Sequence, residues 1–189
     1  MRNRITGKSR ISSNEVERVL PSLSEKIRTF RFVHELERLV VAAFELVLND
    51  ASIEVPVGTD GTGIYLGVDN CIEDIKNKFL LDIIKEGVLG ASPLLFPFTS
   101  PNSLAAQAAI MFDIRGESMI FPVERPEIRT ILYADECVAA GYAHRAIAGH
   151  VFRESAGGAE GSMDYFAELF FLETPELAEK RHVRIYGDM

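Results

Sequence analysis

Two cysteines and four histidines are all that 189 residues offer for thiol and imidazole chemistry. Cys71 and Cys137 lie far apart and match no metal-ligand spacing, so they read as two unpaired thiols of a reducing compartment. His34, His144, His150 and His182 form no HxH or HxxxH pair, and the sequence implies neither a metal site nor a cofactor. No Ser–His or Cys–His spacing suggests a nucleophile with its base. Basic charge is also short. A formal net charge of −8 argues against a general nucleic-acid binder, because a phosphate backbone must be met by a net positive surface. No apolar run is long enough to cross a bilayer, and the basic start Met1-Arg2-Asn3-Arg4 lacks the apolar core of a secretion signal. The expectation is a cytoplasmic chain with no membrane partner.

What is present is ordinary for a globular protein: 47% apolar and 25% charged residues, enough to bury one core. No repeat or linker divides the chain, so 1–189 is expected to be a single domain. The basic residues Arg2, Arg4, Lys8 and Arg10 fit a solvated tail as well as an acidic docking partner, with a short strand-like piece over 4–7. Ser13-Asn14-Glu15 can cap a short helical piece ahead of Pro21. A helix is predicted over 25–49, with Phe32, Leu36, Leu39, Val40, Ala43 and Val47 on one face and Arg31, Glu35, Arg38 and Glu45 elsewhere. The glycines of 57–63 precede the buried-strand run 64–68. A phosphate cradle needs them after a strand, so a hairpin-like turn is the plainer reading. An amphipathic helix follows over 70–86, stopped by Gly87. The proline-rich loop 92–101 carries Leu95, Phe96 and Phe98, which either pack beneath the domain or offer a contact surface to a partner or acyl ligand.

Residues 102–150 organise the rest. Asn102 can cap a helix running to Phe112, Arg115-Gly116 turns, and 118–121 is a strand. Val123-Glu124-Arg125-Pro126 then makes an elbow, with Pro126 suited to the first turn of the next helix. Such elbows display a nucleophile where a helix macrodipole favours an anion, yet this one carries neither Cys nor Ser. An ion pair of Glu124 with Arg125 is the plainer reading; Arg125 holding a partner's acidic side chain is the other. In the following helix Ile128, Ile131, Leu132, Ala134, Val138 and Ala139 are expected to form an apolar arc. Arg129, Thr130, Tyr133, Glu136 and Cys137 fall on a solvated one. Asp135, within the apolar arc, must pair with an arginine or face a partner. Strands are expected over 143–149, 163–172 and 183–186, with a flexible interval over 155–161 and a helical turn opening at Thr174-Pro175. The alternation predicts an α/β protein with a mostly parallel or mixed sheet covered on both faces.

Ser92-Pro93 through Pro101-Asn102, Ala105 to Ile110, Arg115-Gly116, the strand and elbow, Gly141 and Ala148-Gly149 keep one register. Glu160-Gly161 with the strand to Leu172-Glu173, then Lys180-Arg181 and Val183-Arg184-Ile185-Tyr186, continue it. In these features the chain resembles the N-terminal half of a β-ketoacyl synthase, weakly so before residue 26. The resemblance implies half of a thiolase-like fold: a mixed sheet of about five strands with helices on both faces. It also implies that the family's nucleophilic cysteine falls at Arg125 counting from Arg115-Gly116, or at Glu124 counting back from Gly141. Neither side chain forms an acyl thioester. The family's two catalytic histidines lie in the other half, beyond Met189, and the stretch between Gly149 and Gly161 is shorter than in complete enzymes. The implied function is a non-catalytic subunit of the chain-length-factor type, pairing with an intact ketosynthase in fatty acid or polyketide biosynthesis. Residues around 118–125 would meet the partner across the dimer axis, and Leu95, Phe96, Phe98 and Phe121 would contact acyl chain or partner. The alternative is a homodimeric pseudoenzyme that binds acyl chains or acyl carrier protein, which an acidic surface disfavours. A true hydrolase or transferase acting through Glu124 would need a base that the sequence does not supply.

Overall fold

Apolar and β-branched runs form the strands of the computed structural model, which describes residues 2–19, 21, 35–58, 61–155 and 163–189. They are β1 (Arg4–Ser12), β2 (Thr62–Val68), β3 (Ser118–Pro122), β4 (Arg145–Ser155), β5 (Met163–Glu173) and β6 (Gly187–Asp188). All belong to one six-stranded sheet ordered β3-β2-β4-β5-β1-β6. β2 is parallel to both β3 and β4, while β5 is antiparallel to β4 and β1. The α/β class and mixed sheet are as expected, with the two-residue β6 as a sixth strand. The helices are α1 (Glu35–Asp50), α2 (Glu73–Glu86), α3 (Asn102–Phe112), α4 (Arg129–Ala139) and α5 (Pro175–Arg181).

Side chains alternate across a strand, so each strand feeds two cores. Ile64, Leu66 and Val68 of β2, Ile147 and Val151 of β4, and Ala167, Leu169 and Phe171 of β5 pack with α1 and α3. Tyr65, Ala146, Ala148 and Leu172 point the other way, onto Ala134, Cys137 and Val138 of α4. α1 is buried nearly all round. Beyond the predicted Leu36, Leu39, Val40, Ala43 and Val47, it also buries Val41, Phe44 and Leu48. The Phe44 ring stacks on Phe112 of α3 at 6.1 Å. Glu45, expected off the buried face, is only 1% exposed and accepts a hydrogen bond from Asn49 Nδ2 at 3.0 Å.

Several expectations change. The arc that α4 buries is Thr130, Ala134, Cys137 and Val138, while Ile128, Leu132 and Ala139 are exposed. The spacing of Thr130, Ala134 and Cys137 places small side chains where the helix sits on the sheet, and the bulky aliphatics turn outward. Arg129 and Glu136 are exposed, as read from sequence. Asp135 pairs with no arginine: Asn3 Nδ2 donates to its Oδ1 at 2.7 Å and to its carbonyl at 2.9 Å. Arg4, Lys8 and Arg10 are not a tail but part of β1, which runs to Ser12. Its outward cations are anchored: Arg4 on Asp188, Arg10 on Glu154 at 3.1 Å, and the Lys8 ammonium 4.6 Å over the Tyr186 ring.

The turn before β2 leads from a helix into a parallel strand, so no hairpin forms there. The closing strand is 187–188 rather than 183–186, because β6 pairs with β1 only at Arg4 and Ile5. Asn102 is the first helical residue of α3 and makes no capping bond. Pro126 lies ahead of α4, which begins at Arg129. Gly87 does end α2, at φ +74°, and Thr174 caps α5 with Pro175 behind it. The parts of three readings at 22–34, 59–60 and 156–162 fall outside the described residues. Both cysteines are free and buried. Among the described residues no helix is long and apolar enough to cross a membrane, and no cluster of three or more His, Cys, Asp or Glu could hold a metal ion.

Phe44→Ala opens a cavity between α1 and α3 and should cost about 3–5 kcal/mol, read as a lowered denaturant midpoint. Ile110→Ala, on the exposed side of α3, should leave that midpoint nearly unchanged.

Candidate functional site

In an open sheet with parallel strands, ligands gather where two neighbouring strands send their connections to opposite faces. β2 and β3 are such a pair. After β2 the chain passes to α2 and α3 on the α1 side; after β3 it passes to α4 on the other. The crevice between their carboxyl ends is bounded by Asp69 and by the elbow 123–128. Asp69 is fixed by two backbone donors, Cys71 N to Oδ1 and Arg153 N to Oδ2, each at 2.8 Å. It thereby ties the end of β2 to the next turn of chain and to β4. On the other side Val123 N donates to Val68 O at 3.0 Å, extending the ladder one step past β3.

Beyond that step the backbone leaves the sheet. Glu124, Arg125 and Pro126 are exposed. The expected Glu124–Arg125 ion pair does not form. The pair near the elbow is Arg129 Nε with Glu127 Oε2 at 3.6 Å, and it is largely solvent-screened. Neither cysteine reaches this point as an activated nucleophile. Cys71 is wholly buried, and its thiol pKa is pushed well up by that burial and then by Asp69. Cys137 lies in the last turns of α4, away from the elbow.

The group that does reach the elbow is His150, which the sequence reading dismissed as scattered. It sits on β4 directly opposite Gly67 of β2 and is 3% exposed. Its Nε2 accepts the backbone N–H of Glu127 at 3.2 Å, latching the chain just before α4. The ring fits because residue 67 has no side chain. A Cβ there would lie 2.5 Å from His150 Cδ2 and 2.9 Å from Thr130 Oγ1. Burial lowers the imidazole pKa, opposed by the charges of Glu168 and Glu127. An Nε2 engaged as acceptor holds the elbow's shape rather than serving as a free base. No sequence signal marks it: the strand expected over 143–149 stops one residue short of His150, and only the pairing of β2 with β4 sets Gly67 against it.

The four apolar candidates do not converge. Leu95, Phe96 and Phe98 lie at a 3₁₀ turn beside α2 and α3; Phe98 packs on the α1-side core, and Phe96 is exposed and tilted against Phe79 at 5.9 Å. Phe121 is on the opposite face, its ring edge-on to Tyr133 of α4 at 5.2 Å. What adjoins the first group is a broad apolar surface: Ile84, Val88, Leu89, Leu94 and Ile110 are exposed alongside Phe96.

β3 is the end strand of the sheet. Ile64 N bonds to Glu117 O and Val123 N to Val68 O, so odd-numbered residues here turn their backbone toward β2. In a parallel ladder the alternate residues, Ser118, Ile120 and Pro122, turn theirs to the open edge. The strand itself, SMIFP, carries no charge.

No protein-family model matches this chain, and no curated protein does. Solved structures do match it. A type II PKS acyl-carrier protein in complex with its ketosynthase aligns over 100% of this chain and 67% of that one, at TM-score 0.68 and 18% identity. The ishigamide ketosynthase/chain length factor aligns over 99% of this chain and 62% of its own, at TM-score 0.74 and 15% identity. A β-ketoacyl synthase from Burkholderia phymatum aligns over 99% and 62%, at TM-score 0.64 and 15% identity. The chain therefore has a ketosynthase-like, thiolase-like α/β fold along its whole length, and it spans 62–67% of the length of these three chains.

His150 is harder to protonate folded than unfolded, so its contribution to stability is complete above the ordinary imidazole value of about 6.5 and is lost as pH falls through and below it. Denaturant midpoints measured down through that window should fall in the wild type. His150→Gln, whose amide oxygen can still accept from Glu127, should fall less. An equal acid-induced drop in the two proteins would show that the latch is not the titrating group.

Proposed function

We propose that this chain is a non-catalytic, ketosynthase-like subunit of the chain-length-factor type, which pairs with an intact β-ketoacyl synthase in polyketide or fatty acid biosynthesis. The observation that carries the reading is the elbow. At the end of β3, where this fold places a strand-to-helix nucleophile, stand the exposed, charged Glu124 and Arg125, while both thiols are buried elsewhere. A carboxylate could accept an acyl group only with an activating base, and the His150 imidazole at the elbow is already engaged with a backbone N–H. The chain thus lends its partner shape rather than chemistry.

The pairing surface is supported by β3 and the apolar ground beside it. An uncharged end strand with outward backbone groups invites a further strand. The exposed Ile110 of α3 and the α2–α3 loop extend that edge into an apolar surface of the kind that a lasting interface covers. Phe96 and Phe98 border this side, whereas Phe121 acts from beneath α4. An acyl-carrier protein is the second partner the fold suggests, reaching the assembly through the active subunit, since a net charge of −8 repels an acidic domain.

Co-expression with an intact ketosynthase should yield a stoichiometric complex on size-exclusion chromatography. Ser118→Pro removes an outward N–H while sparing the ladder to β2, and it should abolish the complex without changing the thermal midpoint. A chain that stays alone with every ketosynthase offered would overturn the pairing. A stable homodimer would point instead to a self-associating scaffold. Purified protein should form no covalent adduct with an acyl thioester; turnover that disappears in Glu124→Gln would end the non-catalytic reading.

A further inference from the structure

At the end of α4 farthest from the elbow, a cleft of about 450 Å³ is lined by Glu117, Tyr133, Glu136, Cys137, Ala140 and Tyr142. Its aromatic wall continues inward. The wholly buried Tyr65 lies 5.9 Å from Tyr133, and its hydroxyl donates to Glu117 Oε2 at 3.0 Å. Phe121 meets Tyr133 from the side. Ring faces and two carboxylates therefore share one concavity. Among the described residues no basic side chain lines it, and neither Glu117 nor Glu136 has an arginine or lysine partner.

The backbone adds to the same sign of field. α4 ends here, and the negative end of its macrodipole points at the cleft. The ending is well defined: Tyr142 N donates to Cys137 O at 2.9 Å and Gly141 N to Val138 O at 3.1 Å, with Gly141 at φ +79°. In that motif the residue after the glycine ordinarily folds its apolar side chain back onto the helix. Tyr142 instead is 79% exposed, held out at the rim by a rigid turn. An exposed aromatic ring on a well-formed turn, beside two carboxylates that have no cationic partner among the described residues, is poorly explained by packing. The Tyr133 phenol pKa is raised, first by the neighbouring Cys137 and then by burial and Glu117, as expected where the surroundings are electronegative.

We infer that this cleft binds an organic cation, an alkylated ammonium or a guanidinium, placed against the rings of Tyr133 and Tyr142 and neutralised by Glu117 and Glu136. A hard metal ion is a poorer fit, because it wants a shell of oxygen ligands rather than ring faces. A cation with a diffuse charge gains from the negative π-face and loses little hydration. The site adjoins β3 at Glu117 but lies on the α4 side of the sheet, and its chemistry stands or falls without the ketosynthase reading.

The probes are tetramethylammonium chloride and N-acetyl-arginine amide, titrated into the full chain and followed by tyrosine fluorescence and amide shifts. tert-Butanol serves as a neutral control of similar size. Either cation should saturate the site, with tert-butanol ineffective. Tyr142→Ala and Glu136→Gln, both at exposed positions, should each weaken binding about tenfold, the size of one cation–π or charge contact. Glu154→Gln, on another part of the sheet, should bind as wild type. Preference for the ammonium marks a free small cation as the ligand, and preference for the arginine amide marks the side chain of a protein partner. No saturable binding by either cation, equal binding of tert-butanol, or unchanged affinity in both cleft variants would overturn the site.

Discussion

β2 is buried along its whole length, with a parallel neighbour on each edge. A strand in that position has no solvated side, so both faces of the sheet must be covered. α1 and α3 meet the demand on one face and α4 on the other. Parallel neighbours also demand crossovers, and the crossover from β3 to β4 must pass over β2. That crossover is α4, and the sharp departure it requires at the end of β3 is the elbow. The exposure of Glu124 and Arg125 and the approach of His150 to Glu127 thus follow from the placing of one buried strand. Glycine permits the close approaches on either side. Gly67 leaves room for the imidazole, and a Cβ on Gly149 of β4 would lie 2.0 Å from the Glu168 carbonyl of β5.

The two ends of the sheet are finished differently. On β1, Arg4 reaches Asp188, Lys8 sits over Tyr186, and Tyr186 donates its hydroxyl to Asp50 at 2.8 Å. The segment after α5 adds backbone bonds there, Tyr186 N to Ile5 O and Met189 N to Asn3 O. Each charge contact is worth little in water, but together they occupy an edge that could otherwise pair with another strand. On the sheet face beside α4, Arg10 lies over the rings of Phe152 and Phe166 and pairs with Glu154 and Glu168. Among the described residues β3 has no comparable protection, and the exposed aliphatics of α2 and α3 adjoin it. The uneven finish separates a surface suited to water from one suited to a protein partner.

Much of the architecture was legible because it is local. The bounds of α3, the start of β3, the stop at Gly87, the helical turn opening at Thr174-Pro175 and the unpaired thiols follow from periodicity, turn chemistry and cysteine spacing. The register quoted for the ketosynthase resemblance carried the fold. What escaped was decided between distant segments. Only residues 4–7 of β1 read as strand-like, with its basic residues left between a tail and a docking site, and only its pairing with β5 shows that Ile11 and Ser9 face a core while Arg10 faces out. The buried arc of α4 was right at Ala134 and Val138 but misassigned elsewhere, because hydrophobicity favours Ile128 and Leu132, whereas the fit against Tyr65, Ala146 and Ala148 selects smaller residues.

The candidate site divides in the same way. By itself the sequence determined that charged residues stand at the elbow and that no thiol is there, since residue identity needs no geometry. Only the tertiary structure decided that His150 latches that elbow, that Asp135 answers to Asn3, that Phe121 and Phe98 lie on opposite faces, and that Glu117 meets Tyr142 across a cleft. These pairings join residues remote in sequence through a sheet whose strand order does not follow the chain. No local pattern encodes which side chains such a sheet brings together.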